Sequence, residues 1–135
     1  MNRLARRSAV MAAAIAFLYA AFAMPVVAGV KDYEFQLVQN EVKKSDAAVV
    51  AVRLIDKRSG KAVPDAVISA KRIDMAPDGM PTMAAPLESM PPTEPGLYRF
   101  KAALPMPGNW QLSLAAKVQG ESGTLESKFV LKVMP

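Results

Sequence analysis

Four methionines, Met75, Met80, Met83 and Met90, fall between Asp74 and Met90. Pro77, Pro81 and Pro86, together with Gly79, exclude a helix or an unbroken central strand across this segment. A turn-rich loop has no ordinary need of so much thioether. Two readings follow. In the first, the sulfurs plug the open edge or end of a sheet, because methionine is an adaptable filler of irregular apolar gaps. In the second they face outward as ligands. Thioether sulfur is soft and neutral, so it suits Cu(I), whereas hard cations prefer oxygen. It needs no deprotonation to bind, and it does not turn into a disulfide in an oxidising compartment as a thiolate pair does. On this reading Met75, Met80 and Met83 are the candidate ligands, in a loop that Gly79 allows to reverse. Met90 and Met106 join them only if the loop and the Pro105–Pro107 turn share one end of the domain.

Other site chemistry is missing. The chain has no histidine and no cysteine, so it lacks the commonest general base, the thiolate nucleophile and the usual zinc ligands. Serines and lysines sit at turns or on outward strand faces. Asp74 and Asp78 are four apart without Ca²⁺-loop spacing and read as turn caps. No glycine pattern of a phosphate-binding loop is present. No enzymatic activity is expected.

Charge and address narrow the class further. The formal net charge is +5 over 135 residues, but Arg3, Arg6 and Arg7 belong to an N-terminal basic patch. Setting them aside leaves fourteen basic residues against twelve acidic, a net of about +2. The short groups Lys43-Lys44, Lys57-Arg58 and Lys71-Arg72 read as solvated turns and strand ends, and nucleic acid is not an expected partner. Residues 1–28 have the three parts of a secretory signal: the basic patch, an apolar run from Ser8 to Met24, and Val26-Val27-Ala28 before Gly29. Cleavage after Ala28 predicts a periplasmic or secreted protein of one domain, 29–135. The alternative is an uncleaved anchor to the cytoplasmic membrane through residues 8–24, a run short for a span of about 30 Å.

The elements that must position the methionines are strands. Tyr33, Phe35 and Leu37 alternate with polar neighbours, predicting a strand over 31–39. Val50, Val52 and Leu54 form the inward set of a second strand over 47–55. Turn residues Asp56–Gly60 separate it from a third near 66–73, which opens after Pro64. A short edge strand is expected around Thr82–Ser89. Tyr98, Phe100 and Ala102 mark the strand 97–103, and Trp110, Leu112, Leu114, Ala116 and Val118 give the cleanest period of two in the chain. Gly120–Gly123 turns the chain into a last strand with Leu125, Phe129, Leu131 and Val133 inward. About seven strands joined by short turns predict an all-β, antiparallel immunoglobulin-like β-sandwich preceded by a signal-peptide helix. An open barrel is the competing architecture. Trp110 is expected as a core anchor whose indole N–H is bonded at the sandwich end.

Several segments carry a resemblance. Strand Val49–Ile55 is followed by Asp-Lys-Arg-Ser-Gly-Lys-Ala-Val-Pro-Asp-Ala, then the Met/Pro loop. After it come Glu94-Pro95-Gly96-Leu97-Tyr98-Arg99-Phe100 and Pro105-Met106-Pro107-Gly108-Asn109-Trp110-Gln111-Leu112. From about Tyr33 to Val133 the chain resembles the YtkA-like or FixH-like family of exported single-domain proteins. The resemblance implies an immunoglobulin-like sandwich outside the cytoplasmic membrane and a role in copper handling or cytochrome oxidase assembly. That family's loop is expected to carry histidine beside methionine. Its absence here leaves a thioether site for Cu(I) and argues against Cu(II). The alternative function is a metal-free protein-interaction or envelope accessory domain, with an envelope protein as partner.

Overall fold

The computed structural model describes residues 29–135; the expected signal segment lies outside the described residues. Nine strands form: β1 (Tyr33–Leu37), β2 (Glu41–Lys43), β3 (Ser45–Asp56), β4 (Val67–Met75), β5 (Met80–Ala85), β6 (Leu87–Ser89), β7 (Leu97–Leu104), β8 (Gly108–Lys117) and β9 (Leu125–Met134). They make two sheets, in the order β1-β3-β7-β6 and β2-β9-β8-β4-β5. Leaving out β2 and β5, the first, second, fifth and fourth strands share one sheet, and the seventh, sixth and third share the other. That is the immunoglobulin arrangement, with β5 as an extra edge strand. The sandwich expected from the alternating pattern is therefore present.

Two details differ from the sequence expectation. The first strand ends at Leu37, after which the chain crosses to the opposite sheet and forms β2, paired parallel to β9 through Glu41↔Lys132 and Lys43↔Met134. The expected strand over Thr82–Ser89 is two strands divided by Pro86. β5 pairs with β4 in one sheet, and β6 pairs with β7 in the other. Proline cannot donate to a ladder, so Pro86 is a natural point for the chain to leave one sheet.

Period two sets the core. Phe35, Val50, Val52, Leu54, Phe100 and Ala102 from one sheet meet Trp110, Leu112, Leu114, Leu131 and Val133 from the other, all buried. Phe35 and Tyr98 contact edge to face, with centroids 6.1 Å apart. The Tyr98 hydroxyl donates to the Val63 carbonyl at 2.7 Å and accepts from the Ala66 N–H at 3.0 Å. This ties the irregular link before β4 onto the opposite sheet, and burial there raises the Tyr98 pKa above its usual value.

The two ends differ in chemistry. At the end where Gly29 enters, the Tyr33 hydroxyl donates to Glu121 at 2.8 Å and Arg58 pairs with Asp56 at 2.8 Å. At the other end β4 finishes at Met75 and β8 begins at Gly108. The antiparallel register Asp74↔Gln111 brings the β4–β5 turn beside the turn that carries Met106.

Candidate functional site

The methionine segment is a braced edge hairpin. β4 runs to Met75, a single 3₁₀ turn covers Ala76–Asp78, and Gly79 reverses the chain at φ 78° in the left-handed region that glycine tolerates. β5 returns out of step: Met75 faces Met80, but Asp74 faces Ala84. The residues between, including Met83, bulge away from the β4 ladder. Asp74 is buried and holds both limbs. Its carboxylate accepts from Arg72 Nε at 2.8 Å and from the Ala76 N–H at 2.9 Å. The same guanidinium reaches across the hairpin and donates from Nη2 to the Pro81 carbonyl at 2.7 Å.

A second set of bonds ties the hairpin tip to β8. Asp78 accepts from the Asn109 N–H at 2.8 Å and from the Asn109 side-chain amide at 3.0 Å. The backbone bond first, then the side-chain bond, holds its carboxyl below the ordinary carboxylate range. Gly108 has φ 142°, and a Cβ there would come within 2.7 Å of both Asp78 Oδ2 and Met75 Cε. The chains approach this closely only because the side chain is missing. Both aspartates therefore hold the turn, as their sequence context suggests. Asn109 and Arg72 are partners that sequence reasoning did not single out; the signal for Asn109 was its place directly after the Pro-Gly turn.

The three sequence-predicted ligands are not equivalent. Met75 is 1% exposed and belongs to the core between the sheets. Ile73, two residues before it and equally buried, shows the parity that places it there. Met80 and Met83 are 38% and 40% exposed on the hairpin. Met106, also 40% exposed, joins them at this end. It lines a small apolar notch of about 150 Å³ with Met83, Pro86, Pro105 and Trp110. Trp110 is buried as expected, and its indole N–H donates to the Met106 carbonyl at 3.0 Å. Met90 goes elsewhere. It lines a larger groove of about 610 Å³ beside Pro64, Ile68, Pro92 and Tyr98.

That larger groove also holds Arg99, whose guanidinium donates to the Pro91 carbonyl at 3.1 Å. Its lining suits an apolar or proline-rich contact and carries one sulfur. Among the described residues no three His, Cys, Asp or Glu side chains gather as a metal-binding group. Soft chemistry is therefore concentrated at the Met83–Met106 end. Among the described residues, no helix is long and apolar enough to cross a membrane.

Both segments that carry the family resemblance act as structural ties. In Pro95-Gly96-Leu97-Tyr98, Gly96 stands at φ 79° and its carbonyl accepts from the Leu54 N–H at 2.9 Å, while Tyr98 pins the link before β4. In Met106-Pro107-Gly108-Asn109-Trp110 each residue except Pro107 has a named contact with the hairpin or the notch. Comparison with family models gives a match to the model described as YtkA-like over residues 27–115, from ahead of β1 into β8. Among curated proteins no match is found.

Proposed function

The chain belongs to the YtkA-like family, and from that premise we propose that it works as an exported accessory domain that carries Cu(I) on thioether sulfur at the hairpin end of the sandwich. The observation that carries the reading is that Met83 and Met106, both exposed, share one lining at this end, with Met80 exposed on the same hairpin, on limbs fixed by Asp74, Arg72, Asp78 and Asn109. A backbone frame held by these bonds need not be ordered on binding, so the remaining cost is that of the methionine side chains themselves. Neutral ligands also make uptake independent of protonation across the pH range in which the fold persists. The N-terminal signal pattern and the copper role implied by the family resemblance support the same reading. On it, Met80 and Met83 are available as they stand, while Met75 must leave the core to reach a metal.

The test is competition for Cu(I) between the purified protein and a chromophoric chelator under reducing, anaerobic conditions. It is repeated with Met75, Met80 and Met83 all changed to leucine, which keeps size and apolarity but removes the sulfur. The expected result is one equivalent bound by the wild type and loss in the triple variant. A wild type that leaves the chelator's copper untouched ends the metal reading. The domain would then be an interaction module that presents its methionine-rich apolar end to an envelope partner.

A further inference from the structure

Resting on the Cu(I) reading, we infer that the metal is held by Met83 and Met106 in the notch closed by the ring of Trp110, and not by the local triplet Met75, Met80 and Met83. Met83 and Met106 are far apart in sequence, yet the fold sets them on one lining together with Trp110. Each is 40% exposed, so neither side chain has to leave the core to meet an ion. Met75 is 1% exposed. Using it as a ligand breaks its packing against Gly108, where Met75 Cε occupies the space a Cβ would need. Met80 lies on the hairpin but outside the notch.

Both limbs are stiff. Met106 sits between Pro105 and Pro107, whose rings fix φ. Met83 sits in a bulge whose start is held by Arg72 through the Pro81 carbonyl. The notch lining includes no charged side chain, so a monovalent ion there has no counter-charge and must be stabilised by its ligands alone. The groups on this lining that can answer it are the Met83 and Met106 thioethers and the aromatic side chain of Trp110. Bonding the indole N–H to the Met106 carbonyl satisfies the ring's polar edge and ties the ring to the turn that carries one ligand. Two thioethers leave the ion coordinatively open, which suits a carrier that must release it.

Trp110 is the sole tryptophan, so its emission reports on the notch alone. The experiment titrates the purified protein with Cu(I) anaerobically. It follows tryptophan emission and chelator competition together, for wild type and for Met75→Leu, Met80→Leu, Met83→Leu and Met106→Leu. Denaturant midpoints confirm that each variant is folded. The proposal requires quenching by one equivalent, a fall in affinity of about tenfold or more for Met83→Leu and for Met106→Leu, and changes of about twofold or less for the other two. Binding that survives Met106→Leu but is lost in Met75→Leu or Met80→Leu overturns this ligand pair and leaves the copper reading standing. Binding without any change in Trp110 emission likewise removes the ion from the notch. If the wild type takes no Cu(I), both the reading and the pair fail.

Discussion

Asp78 receives two hydrogen bonds from one residue, the backbone N–H of Asn109 at 2.8 Å and its side-chain amide at 3.0 Å. The pairing joins the tip of the β4–β5 hairpin to the first residues of β8, at the one place where Gly108 lets the two chains come close. The 3₁₀ turn at the hairpin tip, Ala76–Asp78, has no buried residue. Its position is set by this polar tie and by the Arg72–Asp74 brace, not by burial.

The tie predicts a pH signature. Because the folded state lowers the Asp78 pKa, its contribution to stability is present above the unfolded carboxylate value of about 3.9 and disappears as pH falls through the folded value. Asp78→Ala should therefore lower the denaturant midpoint at pH 7, and the gap from wild type should close in acid below about pH 4. Asp56, also held low by its bond from Arg58, is common to both proteins and cancels in the difference. A gap that stays constant into acid would mean that the charged form of Asp78 is not what holds the turn.

Gly96 gives a sharper test of the opposite end. It stands at φ 79°, and a Cβ would collide with Ala62 Cβ and meet the Ala62 Cα and Val63 N at 3.2 Å. Gly96→Ala combines left-handed strain with overpacking against main chain that Tyr98 already pins, and should cost about 2–4 kcal/mol. Urea midpoints measure it. A loss below about 0.5 kcal/mol would place the link before β4 farther from this turn than the structure does.

What was legible in the sequence is what period two encodes. The run from Trp110 to Val118 shows its inward face because Gln111, Ser113 and Lys117 occupy the other parity, and in Val50, Val52 and Leu54 the charge of Arg53 alone marks the outward side. β2 left no such trace. It is three residues long, two of them charged, and exists because β9 offers a parallel edge. The split at Pro86 was visible as a proline, but the change of sheet depends on which edges are free after β4 and β7 have paired. In the candidate site, nearness along the chain suggested Met75 with Met80 and Met83. Strand parity from Ile73 sends Met75 into the core, and the fold brings in Met106 from more than twenty residues away.

Core substitutions test the parity directly. Phe100 and Leu112 are 1% and 0% exposed on facing sheets, so Phe100→Ala and Leu112→Ala should each cost about 2–5 kcal/mol through lost transfer energy and the cavity left behind. Val49 and Val130 lie on outward faces, 44% and 55% exposed, and their alanine variants should stay within about 0.5 kcal/mol of wild type. Equal effects at the inward and outward positions would contradict the packing.

Oxidation reads the methionines one by one. Hydrogen peroxide transfers one oxygen atom to a thioether, giving sulfoxide and water, at a rate that follows the access of the sulfur. Met80, Met83 and Met106, at 38–40% exposure, should oxidise first, and Met75, at 1%, last. Peptide mapping by mass spectrometry after graded exposure gives the order. Sulfoxide at Met83 and Met106 replaces soft sulfur with a polar group in an apolar notch, so protein oxidised there but intact at Met75 should lose Cu(I) uptake while it stays folded. Met75 reacting as fast as Met83 would mean that this end of the sandwich opens readily, and the local triplet would regain its claim as the ligand set.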